Sequence, residues 1–138
     1  MKIAIPLYDR FTALDAVGPY EVLTKLPGAE VTFVASAAGP VTTDTGVLTV
    51  QVPKSFAEVS EVDVLVVPGG PGTRTMMQDQ ELIDWVRAAD ATSTWTTSVC
   101  TGSLVLGAAG LLDGLDATTH WSCVDELEST GATYTAER

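Results

Sequence analysis

Thr94-Trp95-Thr96-Thr97-Ser98-Val99-Cys100-Thr101-Gly102-Ser103-Leu104-Val105-Leu106-Gly107-Ala108-Ala109 joins a β-branched run to an apolar one with a single cysteine at the junction. Thr94 to Val99 reads as a strand and Gly102 to Ala109 as a helix. Gly110 and Asp113-Gly114 close the helix and its exit turn. A strand that feeds directly into a helix start holds the residue between them on a strained, solvent-facing turn. For Cys100 the helix start also brings unpaired N–H groups and a positive dipole end to the sulfur. Both favour the thiolate and predict a lowered thiol pKa. Gly102 provides the close packing that such an elbow needs. The competing reading is a buried, inert thiol, the common fate of free cysteines.

Working outward, Val62 to Val67 is an uninterrupted buried strand that runs into Pro68-Gly69-Gly70-Pro71-Gly72, a loop sequence that neither helix nor strand tolerates. Lys2 to Tyr8 is a shorter strand of the same kind. Ala16 to Leu26 follows with apolar residues at helical spacing, Pro19 fitting a first helical turn and Pro27-Gly28 stopping it. Glu30 to Ser36 reads as another strand, and Thr42 to Gly46 links two β-branched pieces as a hairpin. Thr75 to Ala91 and Trp121 to Glu128 read as helices, and Ala132 to Thr135 has strand character. Strands alternating with helices within one domain predict a parallel α/β sheet sandwiched by helices. Sites in such sheets form at the carboxyl ends of strands. Asp15, the Gly69-Gly70 loop and Cys100 all fall at such ends.

Composition narrows the function classes. The 138 residues suit one domain and show no internal repeat, linker or low-complexity tract. A hydrophobic fraction of 46% with 18% charged residues predicts a globular chain. The net charge of −11 disfavours nucleic acid and anionic membrane surfaces as partners. No apolar run approaches the ~20 residues of a membrane span, and the N-terminus reads as a strand rather than a secretion signal. With two cysteines, Cys100 and Cys123, free thiols in a cytoplasmic protein are the simpler expectation, although a pairing is conceivable.

The remaining candidates each have a structural alternative. The Gly69-Gly70 loop lacks the Lys and Ser/Thr of a phosphate loop and the spacing of a dinucleotide fingerprint. Beside a nucleophile, backbone N–H groups of Gly70 and Thr101 would instead form an oxyanion-type hole. Asp15 reads as a helix cap. A carboxyl that also reached the sulfur would have a raised pKa and serve as general acid and base. His120 is the one histidine; packing or hydrogen bonding is its ordinary use, and a Cys–His dyad is the rarer one. His120 and Cys123 are too few ligands for a zinc site, so no metal is expected. Trp85, Trp95 and Trp121 read as core or interface residues, and the acids Asp79, Glu81, Asp84, Glu126 and Glu128 as solvated helix faces.

Leu14-Asp15-Ala16-Val17-Gly18-Pro19, Val67-Pro68-Gly69-Gly70, Thr97 to Leu112 and Ala117-Thr118-Thr119-His120-Trp121 together resemble the ThiJ/PfpI superfamily, which is class I glutamine amidotransferase-like. Within it the likeness is to isocyanide (isonitrile) hydratases and covers nearly the whole chain. The resemblance implies a flavodoxin-like fold with a Cys nucleophile elbow. It implies that Cys100 attacks the isocyanide carbon to give a thioimidate that water resolves to a formamide, with Asp15 as acid and base. Thr101 and Gly70 would contact the site through their backbone, with Gly69 and His120 as supporting residues. It also implies no cofactor, a small-molecule substrate and a homodimer with the Asp15 region near the partner. Superfamily proteases carry His directly after the nucleophile; Thr101 there points away from peptidase activity. Members with Glu at the Asp15 position act on oxoaldehydes or sense oxidation. Relatives fused to helix-turn-helix domains suggest the alternative of a ligand- or redox-sensing domain. Relatives also extend further, so residues 1–138 are expected to be a single domain lacking the C-terminal part of the usual fold, with apolar faces left uncovered.

Overall fold

The computed structural model describes residues 1–137; Arg138, the last residue of the expected domain, lies outside them. Five strands form the central sheet. They are β1 (Lys2–Pro6), β2 (Glu30–Ala35), β5 (Lys54–Ser55), β6 (Val64–Val67) and β7 (Trp95–Ser98). Their order is β5-β2-β1-β6-β7 and every pairing is parallel, giving the flavodoxin-like arrangement. Parallel strands need crossovers, which place helices against the sheet. The helices are α1 (Ala13–Leu23), α2 (Thr73–Met76), α3 (Gln80–Asp90), α4 (Gly102–Ala108) and α5 (Val124–Glu128). The expected hairpin is β3 (Gly39–Thr42) paired antiparallel with β4 (Thr49–Val52).

Several boundaries differ from the sequence reading. Helix α1 begins at Ala13, three residues early, so Asp15 lies in its first turn. The residue at the cap is Thr12, whose side chain makes no capping bond. Pro19 is inside α1 rather than in its first turn and removes the N–H that would bond the carbonyl of Asp15. The stretch read as one helix from Thr75 splits in two, because the Asp79 carboxylate accepts the N–H of Leu82 at 3.1 Å and starts α3 afresh. Trp121–Cys123 is a 3-10 turn preceding α5. Strand β9 (Thr133–Tyr134) pairs with β8 (Asp116–Ala117), a partner that the sequence reading did not identify.

Burial follows the apolar pattern. Ile3, Ile5, Leu65 and Val67 are closed off on β1 and β6, and Leu82, Val86 and Val105 on the helices that pack there. Trp85 joins this core, stacking on Phe56 with ring centroids 4.9 Å apart and donating its indole N–H to the carbonyl of Val59. Trp95 and Trp121 are exposed, so of the three tryptophans only Trp85 is a core residue. Leu104, Cys123, Leu127 and Ala132 form a smaller cluster joining α4, α5 and β9. Beside α1, an open apolar groove of about 610 Å³ runs over the sheet between Val22, Leu26, Val66 and Trp95.

Register positions the site. Ile3 pairs with Val64 and Ala4 with Leu65, and Val67 pairs with Ser98. Pro6, Val67 and Ser98 therefore end at one level. The chain goes from β1 to β2 on one side, whereas β6 lies on the other. The crevice between the loops after β1 and β6 is the switch point where open parallel sheets place their sites.

Candidate active site

Cys100 occupies this crevice. The N–H of Val99 still bonds the carbonyl of Val67 at 2.9 Å, and the N–H of Gly102 closes a tight turn onto the carbonyl of Val99 at 2.9 Å. Between them Cys100 takes a φ of 55°, the left-handed region that costs a side-chain-bearing residue energy. The turn is held from behind, because a Cβ on Gly102 would lie 2.0 Å from the carbonyl oxygen of Val67. It is held from above by the hydroxyls of Ser103 and Thr119, which both donate to the Cys100 carbonyl at 3.3 Å. Both lie in stretches that carry the family resemblance, but this hold on the Cys100 carbonyl shows only once the loop folds over the elbow.

Asp15 is 8% exposed and lies near enough to the Cys100 thiol for each to shift the other's ionisation. Its Oδ2 accepts the N–H of Gly69 at 3.2 Å, and a Cβ on Gly69 would sit 2.9 Å from that oxygen and 2.6 Å from the backbone nitrogen of Thr101. Only glycine admits this approach. The first turn of α1 is fixed to the same loop by the N–H of Thr12, which donates to the carbonyl of Gly69 at 2.8 Å. Burial pushes the Asp15 carboxyl above the usual carboxylate range, opposed by the Gly69 N–H and by Cys100. Tyr8, also buried, donates its phenolic proton to the carbonyl of Pro68 and so fixes the start of the loop. Burial pushes this phenol up and keeps it a donor.

The thiol shift differs in sign from the sequence expectation. Burial, aided by the Asp15 carboxylate, pushes the Cys100 thiol above its ordinary value, although the backbone N–H and the hydroxyl of Thr101 favour the thiolate. The helix start does reach the sulfur, but through one N–H, and the carboxylate opposes it. Asp15 and Cys100 thus both resist ionisation, chiefly through burial.

Gly70 also differs from expectation. Its φ is 136° and its N–H donates to the Thr101 hydroxyl at 2.9 Å, so that N–H is engaged rather than open to a substrate. The Thr101 backbone N–H faces the Cys100 sulfur. His120 forms no dyad with Cys100. Its Nδ1 is engaged by the N–H of Ser122 at 3.3 Å and lies 2.8 Å from the Ser122 hydroxyl, while the ring lines the cavity in front of the sulfur. That cavity is about 550 Å³, walled by Cys100, Thr118, Thr119, His120, Trp121 and Tyr134. Both cysteines are free thiols. Among the described residues no group of three or more His, Cys, Asp or Glu side chains is placed to hold a metal ion.

A parallel sheet with a cysteine elbow at its switch point and a carboxyl in the first turn of the neighbouring helix defines the class, and the chain belongs to the DJ-1/PfpI family, which it matches over residues 1–138. Among curated relatives it is 43% identical over 138 residues to the isonitrile hydratase of Pseudomonas putida, covering 100% of this chain and 60% of that protein. A ThiJ/PfpI family protein from Pseudomonas syringae superposes with a TM-score of 0.94 at 41% identity, covering 99% of this chain and 57% of that one. The transcriptional regulator GbdR of Pseudomonas aeruginosa is 29% identical over 132 residues, 92% of this chain and 36% of that protein. The chain therefore spans about three-fifths of the length of the hydratase it matches.

Proposed function

We propose that this chain carries the reacting groups of an isocyanide hydratase, converting R–N≡C and water to an N-substituted formamide. The observation that carries the reading is the placement of Cys100, raised on its left-handed turn, beside the buried carboxyl of Asp15; the likeness to the P. putida hydratase supplies the reaction. The Cys100 thiol gives its proton to Asp15 as sulfur bonds the terminal carbon. Asp15 passes that proton to the same carbon, leaving R–N=CH–S–Cys100. Asp15, again ionised, takes a proton from water as its oxygen adds to this carbon and hands that proton on to the nitrogen. The C–S bond then breaks, the carbonyl of R–NH–CHO forms, and the second water proton returns to sulfur. Each step needs a carboxyl that exchanges protons readily, which a raised pKa favours. The Thr101 N–H steadies the sulfur, and the cavity walled by His120, Trp121 and Tyr134 receives the R group.

The same reading makes the protein a cytoplasmic homodimer acting on a small molecule without a cofactor. Free cysteines at both positions suit a reducing compartment. Leu14 on α1 is 75% exposed one residue from Asp15, and Val47 at the hairpin tip is 89% exposed. The Thr12 hydroxyl ties the hairpin to α1 by donating to Asp44 at 3.0 Å, so these side chains offer an apolar surface beside the site. Incubation with an aliphatic isocyanide, followed by mass spectrometry, should yield the formamide and an adduct on Cys100, with neither in Cys100→Ala. The match to GbdR favours a second reading, a ligand-sensing domain. In that case isocyanides would raise Tm without turnover.

A further inference from the structure

Thr12 stands at the N-cap of α1 without capping it. A threonine there ordinarily turns its oxygen to accept an N–H of the first helical turn. The Thr12 hydroxyl instead donates to Oδ2 of Asp44, in the turn of the hairpin, at 3.0 Å. The other two polar groups of Thr12 belong to a closed ring of hydrogen bonds. Its N–H donates to the carbonyl of Gly69 at 2.8 Å, and the N–H of Gly69 donates to Oδ2 of Asp15 at 3.2 Å. The N–H of Asp15 donates back to the carbonyl of Thr12 at 3.1 Å. The ring fixes the Asp15 carboxyl, and the Thr12 hydroxyl is the group that leads out of it to the hairpin.

Asp44 grips that outlet at two points. Its backbone N–H donates to the carbonyl of Phe11 at 2.9 Å while its carboxylate takes the Thr12 hydroxyl. The carboxylate is itself steadied by the N–H of Thr45, which donates to Oδ1 at 2.8 Å. The carbonyl of Thr42 adds a further hold on the same segment, accepting the N–H of Arg10 at 3.0 Å. A hydroxyl bonds an ionised carboxylate more strongly than it bonds a neutral partner, so the hairpin wins the Thr12 side chain from the helix. We infer that Asp44 is a positioning residue for Asp15: by drawing the Thr12 hydroxyl out of the cap it fixes Thr12, and through the ring it holds the Asp15 carboxyl against the Gly69 N–H. The inference rests on the reading of Asp15 as the acid and base, and it deepens that reading by naming what aims the carboxyl.

The test follows the Gly69 amide proton by NMR across pH in the intact protein, because that N–H donates to Asp15 and its resonance moves as the carboxyl ionises. Asp15→Asn should abolish the movement and so assign it. Thr12→Val keeps the size, the charge and both backbone groups of the ring and removes the hydroxyl; Asp44→Ala removes its acceptor. Each should cut the amplitude of the Gly69 titration by about half or more, since a bond at 3.2 Å is already at the long end of the N–H···O range and weakens steeply with displacement. The double variant should go no further than either single one, and Thr12→Ser should keep the wild-type amplitude. Amplitude is read rather than midpoint, because burial first and the Asp44 charge after it push the midpoint up. In turnover of an aliphatic isocyanide both variants should lower kcat by about 10-fold to 10²-fold, the scale of a ~1 Å misplacement, and leave KM within about twofold. If Asp44→Ala does not fold, Thr12→Val is held to the same outcomes. A merely structural tie would lower Tm and leave the amplitude in place, which overturns the inference. So would a Gly69 amide that does not titrate in the wild type, additive losses in the double variant, or a lost amplitude in Thr12→Ser. The titration needs no isocyanide. Lost amplitude beside an unchanged kcat, or a wild type without formamide turnover, would sink the acid–base reading and leave the placement of the carboxyl standing.

Discussion

The two cysteines sit in opposite surroundings. Cys123 is 2% exposed, packed among Leu104, Leu127 and Ala132, with the Arg74 guanidinium 3.3 Å from its sulfur and the Ser122 hydroxyl at 3.6 Å. Cys100 is half-buried at the mouth of a cavity, on a left-handed turn, and the charge beside it is the carboxylate of Asp15. The nearest cation thus stands beside Cys123 and not beside Cys100. Access and backbone geometry favour Cys100, where a proton-accepting carboxyl takes the place of a fixed positive charge. On the proposed reading, reactivity is a matter of moving a proton when substrate arrives rather than of resting as a thiolate.

The largest test of this contrast is to exchange the roles. Cys100→Ala should take isocyanide hydration to background, a loss of more than about 10³-fold. Cys123→Ala should lose about 1 kcal/mol of stability from the α4–α5 cluster and keep its turnover. Equal losses would break the comparison. Asp15→Asn should follow, slowing turnover by about 10²–10⁴-fold, the usual worth of a general acid and base. Its stability should move the other way. The folded carboxyl is pushed up, so its protonated form is the favoured one, and that contribution is full at low pH and lost as pH rises through the raised pKa. Asp15→Asn should therefore raise Tm at neutral pH, with the gain shrinking as the pH falls through the carboxylate range, as calorimetry would show. The pH–rate profile of the wild type should have its acid limb above the ordinary Asp value of about 3.9 and its alkaline limb above the ordinary thiol value of about 8.5. Asp15→Asn should lose the acid limb.

The backbone half of the comparison is sharpened by glycine. Gly102→Ala drives a methyl into the Val67 carbonyl and should cost about 1–3 kcal/mol or more in urea unfolding. Gly18→Ala, within α1, meets Leu14 at an ordinary 3.6 Å and should gain about 0.5–1 kcal/mol. A tolerated alanine at position 102 would show that the elbow is not clamped from behind.

How far this arrangement was legible in the sequence depends on the scale of the feature. The alternating strands and helices, the Gly-rich loop and the Cys100 junction were readable because each is local: β-branched runs, a glycine cluster, a residue between two periods. Convergence of Asp15, Gly69 and Cys100 followed from their shared position at strand ends. The start of α1 was misjudged because Thr12 lacks a capping bond and its N–H is drawn to the Gly69 carbonyl, a contact some 57 residues away in sequence. The break at Asp79 was masked by helix-forming residues on both sides. The direction of the thiol shift needed burial and the Asp15 distance together, and neither is written in the local sequence. For the same reason the engagement of the Gly70 N–H by Thr101, and the hold of Thr119 on the Cys100 carbonyl, emerged only from the packed loops.

The smallest effect probes the cation itself. Arg74 pairs with Glu126 at 2.6 Å on an exposed surface, and that pairing holds the Glu126 carboxyl below its usual range. Exposed pairs are screened by salt and contribute little to stability. Arg74→Gln removes the positive charge beside Cys123 and leaves Leu104 and Leu127 packed over the sulfur. If access governs, Cys123 should remain unlabelled by iodoacetamide in the folded variant, as in the wild type, and react only on unfolding in urea. Turnover should change by less than about twofold, the scale of a surface substitution away from the reacting groups. If the guanidinium instead restrains an otherwise reachable thiol, labelling of Cys123 would rise under native conditions, and the contrast between the two cysteines would be one of charge after all.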